Sequence, residues 1–136
     1  MKAPETVLLS ALTSSTSVYS LVAANIRPLV VESGTPMPFV TWKRMGIQRT
    51  QTLGSPLGTP KLTLQFDIYG TTYDQAREVA DAMRVVLDGY GGTVNNTVVK
   101  QTSLENESDD FVSLGGAELP PAYQITQVYD VLWQEI

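Results

Sequence analysis

Two residue types are missing from this 136-residue chain altogether: it contains no cysteine and no histidine. Without cysteine there is no disulfide framework, no thiolate nucleophile and no cysteine zinc site. Without histidine there is no Ser-His-Asp relay, no imidazole base at neutral pH and no histidine metal cage. Long apolar runs are missing as well. No stretch approaches the ~20 apolar residues of a membrane span. The Val7-Leu8-Leu9 run is broken by Ser10 and by the Ser/Thr residues from 13 to 17. It therefore falls short of the roughly 7 to 15 residues of a secretory apolar region, and Glu5 sits where positive charge is expected. The chain reads as soluble and intracellular, or as part of an assembly built inside a cell. Positive charge is scarce too, with 9 Lys and Arg against 14 Asp and Glu and a net charge of −5. That balance excludes a general nucleic-acid binder, which needs a basic excess to neutralise phosphates.

The scarce positive charge is unevenly placed. Lys2, Arg27, Lys43, Arg44, Arg49 and Lys61 lie in the first 66 residues against only Glu5 and Glu32, and nothing after Lys100 is positive. Segregation of this kind says little about fold, but it shapes association.

The pattern along the chain predicts a short N-terminal helix from Pro4, with proline at its first turn and Val7, Leu8, Ala11 and Leu12 on one side. A second short helical turn follows through Val18, Tyr19, Leu21 and Val22. A brief strand is expected at Leu29-Val30-Val31 and a longer one over Phe39–Met45, rich in aromatic and β-branched residues. Gly46–Pro60 has three glycines and two prolines. It reads as a long loop or a hairpin arm, and an unstructured connection of about 15 residues in a compact domain is usually functional. In Lys61–Tyr69, Leu62, Leu64, Phe66 and Ile68 alternate with polar residues, as in a half-buried strand. Thr72-Tyr73-Asp74-Gln75 has the form of a capping box. The helix after it repeats Ala76, Val79, Ala80, Met83, Val86, Leu87 and Tyr90 at three and four residues. Strands are expected over Thr97–Leu104 and Ala122–Glu135, with the acidic run Glu105–Asp110 as a solvated hairpin tip between them.

This order predicts an α+β fold in a single domain spanning residues 1–136. Its sheet is antiparallel or mixed, with four to five strands, one long helix on a face and the short N-terminal helix beside it.

Candidate sites for chemistry are poor. Glu105, Glu107, Asp109 and Asp110 lack the glycine turn and alternating ligands of a calcium loop, and nothing in their spacing sets two carboxylates across a cleft. Gly89-Tyr90-Gly91-Gly92 follows a helix instead of opening one and has no Lys-Ser/Thr after it, so it terminates a helix and does not cradle phosphate. Trp42, Tyr69, Tyr129 and Trp133 fit core or interface packing better than base stacking, since the charge around them is mostly negative. No catalytic, cofactor-binding or metal-ligating residue is assigned, and an enzyme is not expected. Lys43, Arg44, Arg49 and Lys61 form a segment without acidic residues on or beside the 46–60 arm. They read either as scattered charges on a solvated loop or as a docking arm for an acidic surface on a neighbouring subunit; on the second reading these four, with Leu53, Leu57, Glu105, Glu107, Asp109 and Asp110, are candidates for a subunit or partner interface. Opposite signs on one polypeptide suit a head-to-tail contact.

Taken in order, several local patterns resemble the tail completion, or tail terminator, proteins of long-tailed bacteriophages and gene-transfer particles. They are the N-terminal helix, Pro36-Met37-Pro38-Phe39-Val40 opening a strand, a variable loop, a strand ending Phe66-Asp67-Ile68-Tyr69-Gly70, a helix from Thr72 to Gly89, and a last strand ending Val131-Leu132-Trp133. The resemblance runs from about Glu5 to Trp133. It implies a virion protein assembled in the host cytoplasm into a hexameric ring at the head-proximal end of the tail. Its implied partners are other copies of itself, the tail tube protein and the head connector or head-closure protein. DNA would pass through the channel without sequence-specific binding, and neither a cofactor nor a membrane is involved. The nearest alternatives are a head-closure or connector-adaptor subunit of the same particle and a small-ligand or carbohydrate-binding α+β domain.

Overall fold

The computed structural model describes residues 4–22, 26–28, 38–48, 51–52, 55–56, 61–94, 97–112 and 122–135. Helices α1 (Pro4–Ser14) and α2 (Thr16–Val22) open the chain. Strands β1 (Ile26–Pro28), β2 (Phe39–Gln48), β3 (Gln51–Thr52), β4 (Ser55–Pro56) and β5 (Lys61–Gly70) follow, then α3 (Tyr73–Leu87), β6 (Gly92–Val94), β7 (Thr97–Val112) and β8 (Ala122–Glu135). Six strands form one sheet in the order β1-β2-β5-β8-β7-β6, and β3 and β4 form a separate two-stranded ladder. The sheet is mixed because β1 runs parallel to β2 while every other pair is antiparallel. The class is α+β as expected, with more strands than the four to five anticipated: β1 and β6 are three-residue edge pieces too short to show periodicity.

Alternation decides which face of the sheet is buried. In β5 each of Leu62, Leu64, Phe66 and Ile68 is buried, and the register sets them opposite Val131, Tyr129, Gln127 and Ile125 of β8. Helix α3 covers this row with Ala76, Val79, Ala80, Met83 and Leu87. The larger of these side chains contribute roughly 1.5–3 kcal/mol each by leaving water. Val7, Leu8 and Leu12 of α1 and Val18 and Val22 of α2 join the same core. Phe66 and Tyr129 meet edge to face, their ring centroids 5.9 Å apart.

The ends of α3 follow its sequence closely. Thr72 caps it by accepting from the Gln75 N–H at 3.1 Å. The Gln75 side chain reaches back one residue further than a capping box requires, accepting from the Thr71 N–H at 2.8 Å and the Thr71 hydroxyl at 2.9 Å. At the other end Gly89 takes φ +81°, a left-handed position that suits glycine, and donates its N–H to Thr102 O at 2.7 Å. Helix α3 therefore stops at Leu87, and Tyr90, expected on its apolar face, lies beyond it and packs on the core. Gly70 is required for a different reason. A Cβ there would lie 2.9 Å from the Ala76 backbone nitrogen, so only glycine lets β5 turn this tightly into α3.

The expected strand at Leu29-Val30-Val31 lies outside the described residues. The expected 46–60 loop begins three residues too early, since β2 continues through Gln48, and within it Gln51 pairs with Pro56 and Thr52 with Ser55.

Candidate functional site

The acidic run is not a hairpin tip. Glu105–Asp110 lies inside β7, a 16-residue strand that stays paired with β8 as far as Val112 opposite Ala122. Asp and Glu are poor strand formers, so the segment reads as a loop by composition. Here the β8 ladder and a cation from α3 override that preference. Glu107 and Asp109 fall on the helix-covered face, opposite Gln127 and Ile125. There the Arg77 guanidinium lies 2.8 Å from Glu107 Oε1, 2.7 Å from Asp81 Oδ1 and 3.9 Å from Asp109 Oδ1. Asp81 foremost, and Glu107 with it, hold Arg77 more firmly protonated than usual, while partial burial opposes them.

Around Glu107 a polar network crosses the core. Gln127, fully buried in β8, donates to Glu107 Oε2 at 2.7 Å and to the Ala80 carbonyl at 3.0 Å. The buried Tyr129 hydroxyl donates to Gln127 Oε1 at 2.9 Å. Burial, then the negative charge of Glu107 and Asp88, pushes the Tyr129 phenol well above its ordinary value. Tyr73 at the start of α3 donates to Asp109 Oδ2 at 2.9 Å, which raises its own pKa. These contacts tie α3 to β7 and β8. They give Glu107 and Asp109 partners within the chain.

The other face of the sheet is polar and half-buried. Asp67 is its hub, accepting from Gln65 and Gln124 at 3.1 Å and from Thr126 at 2.8 Å. Asp130 accepts from Thr63 at 3.0 Å and pairs with Lys61 Nζ at 3.7 Å. Lys61 therefore sits on an interior strand with an intramolecular partner. Lys43 and Arg44 are exposed on β2. Arg49, Leu53 and Leu57 lie outside the described residues.

The charge division of the sequence becomes a division in space. Basic Lys43 and Arg44 lie on β2, and acidic Glu105, Glu107, Asp109 and Asp110 on β7, with β5 and β8 between them. At a strand spacing of 4.7–4.9 Å, three steps separate β2 from β7 by roughly 14 Å. A shallow depression of about 310 Å³ opens beside the basic strand, lined by Met45, Gly46, Ile47, Lys61 and Thr63. Met45 is 54% exposed there, at an irregularity in the β2–β5 register. Among the described residues, no group of three or more acidic side chains is placed to hold a metal ion, and no helix is long and apolar enough to cross a membrane.

Comparison with known proteins gives the chain a family. The model of the family "Tail completion protein gp17" matches residues 6–114. The chain belongs to that family. As a tail completion protein it is a structural component of a virion tail. No curated protein matches the sequence. Among solved structures, a chain from the virion of native gene transfer agent particle superposes with a TM-score of 0.76 at 11% identity, covering 93% of this chain and 91% of that one. At that identity the likeness is one of fold.

Proposed function

We propose that this tail completion protein assembles head to tail into a hexameric ring that ends the tail tube at its head-proximal side and joins the tail to the head connector. The observation that carries the reading is the family match over residues 6–114. Two features of the chain support the head-to-tail part. Its basic and acidic residues lie on different strands of one sheet, so a rotated copy can bring unlike surfaces together where a two-fold contact would bring like to like. In sequence, the segment from 46 to 60 carries Arg49, Leu53 and Leu57 directly after Lys43 and Arg44, which suits an arm reaching a neighbour. The ring encloses the channel through which DNA passes, and no bond to DNA is needed for that role.

Native mass spectrometry and light scattering, with and without purified tail tube and connector proteins, test the proposal. The expected result is a six-fold species that binds the end of the tube. A strict monomer that ignores both proteins overturns it. Binding to connector alone, without halting tube growth, converts the role to that of a connector adaptor.

A further inference from the structure

The acidic residues of β7 are engaged inside the chain. Glu105 accepts from the Ser103 hydroxyl at 2.8 Å, Glu107 and Asp109 hold Arg77, Gln127 and Tyr73, and Asp110 has a partner as well. Carboxylates without such partners lie on α3. Asp74, Glu78, Asp81 and Val85 recur at helical spacing and form one stripe along the helix, opposite the buried row of Ala76, Val79, Ala80, Met83 and Leu87. Asp81 is held by Arg77. Asp74 and Glu78 are exposed, and among the described residues no hydrogen bond or ion pair engages either carboxylate. The stripe serves the helix poorly. Glu78 has a like charge one turn before it and another one turn after. Val85, β-branched and of low helix preference, is 78% exposed and adds nothing to the core.

The opposite face of the sheet carries the matching sign. Arg27 is paired with Thr41, and Thr41 and Lys43 are paired with Asp67 and Gln65 on the polar face, so Arg27 and Lys43 both lie on the side away from α3. Both are exposed, and among the described residues neither has an ion-pair partner. They stand one strand and two residues apart, a separation of roughly 8 Å. Asp74 and Glu78, one turn apart, are separated by about 6 Å along the helix. Two long cationic side chains can therefore reach the two carboxylates together.

We propose that the outer stripe of α3 in one copy docks on Arg27 and Lys43 of the next, helix against the polar face of the sheet. This rests on the head-to-tail ring reading and supplies its contact. The two surfaces lie on opposite faces of one sheet, so a two-fold pair cannot bring both of them to the same partner. Each copy gives its helix to one neighbour and its sheet to another, which is the heterologous contact that closes into a ring. Val85, on the same stripe as Glu78, gives the contact apolar surface to bury beside the ion pairs.

Reversing a whole set of charges tests the contact whichever cation meets whichever carboxylate. Arg27→Glu with Lys43→Glu, and Asp74→Lys with Glu78→Lys, should each weaken self-association in the presence of tail tube protein about tenfold or more. All four side chains are exposed, and thermal melts check that each variant is folded. The two variants mixed in equal amounts should assemble again as alternating rings, because every contact then regains unlike signs. Carbodiimide cross-linking of the unmodified protein gives a reading independent of any variant. In a mixture of isotopically light and heavy chains it should join the Lys43 amine to Asp74 or Glu78 of another copy. If the unmodified protein assembles but its variants assemble equally well, the mixture fails to recover, or no such link forms between copies, the helix-to-sheet contact is wrong and the ring survives it. If the unmodified protein never assembles, the ring reading fails and takes this contact with it.

Discussion

Replacing Gln127 with leucine puts the polar network under α3 to the test. The side chain is fully buried, and each of its polar atoms has a partner: Nε2 donates to Glu107 and Ala80 O, and Oε1 accepts from Tyr129. Leucine is close in size, so little cavity is left, and the cost falls on the groups that lose partners. A buried hydroxyl without an acceptor costs about 1–3 kcal/mol, and a hydrogen bond to a charged carboxylate contributes about 1.5–3 kcal/mol. Burying apolar atoms in place of an amide returns about 1–2 kcal/mol. The expected net loss is about 2–3 kcal/mol, a fall in Tm of roughly 6–12 °C for a chain of this size. Urea unfolding followed by the fluorescence of Trp42 and of buried Trp133 measures it. The deciding comparison is a double-mutant cycle. Tyr129→Phe alone should cost about 1 kcal/mol. Added to Gln127→Leu it should recover about 1 kcal/mol or more, because it removes a buried hydroxyl that has already lost its acceptor. A Gln127→Leu protein within 0.5 kcal/mol of the parent, or strictly additive costs, would refute the network as drawn.

Gly70→Ala should destabilise by about 1–3 kcal/mol, because its Cβ meets the Ala76 backbone nitrogen at 2.9 Å; Gly46→Ala, with nothing within 4 Å, should cost no more than a few tenths. Paired thermal melts would show the contrast, and equal costs would contradict the close approach. The phenols of Tyr129 and Tyr69 are both raised above their ordinary 10.0, each chiefly by burial. The folded state then holds those protons where the unfolded chain releases them, so stability is intact below about pH 10 and falls as pH rises further. Denaturation midpoints from pH 8 to 11.5 should show this, with a shallower fall in Tyr129→Phe.

How much of this was legible in the sequence depends on whether local preference and tertiary environment agreed. In β5 they agreed, and burial alternates at every position from Lys61 to Gly70. In α3 the apolar repeat and the Thr72 cap agreed as well. In the second half of β7 they disagreed. Glu-Asn-Glu-Ser-Asp-Asp has almost no strand preference, and only pairing with β8 together with Arg77 holds it extended. Neither partner is local, so no window of sequence contains the information. Gln127 is an intermediate case. The alternation Tyr123, Ile125, Tyr129, Val131, Trp133 requires residue 127 to face inward, which was a usable sign of a buried amide in need of partners. The sign of a residue likewise does not tell an exposed charge such as Lys43 on β2 from one such as Lys61, placed across from Asp130 on an interior strand.

The net charge of −5 and the local charges on β2 and β7 act over different distances. At 0.01 M salt the screening length is about 30 Å, longer than the roughly 14 Å between β2 and β7, so an approaching copy meets the whole negative charge and is repelled. At physiological salt the length falls to about 8 Å, shorter than that distance, and the copy meets only the edge nearest to it. In the ring proposed above, unlike surfaces would then meet with little contribution from the rest of the molecule. The order β2-β5-β8-β7 places two strands between Lys43 and Arg44 on one side and the acidic run of β7 on the other, and that spacing keeps their fields apart at physiological ionic strength.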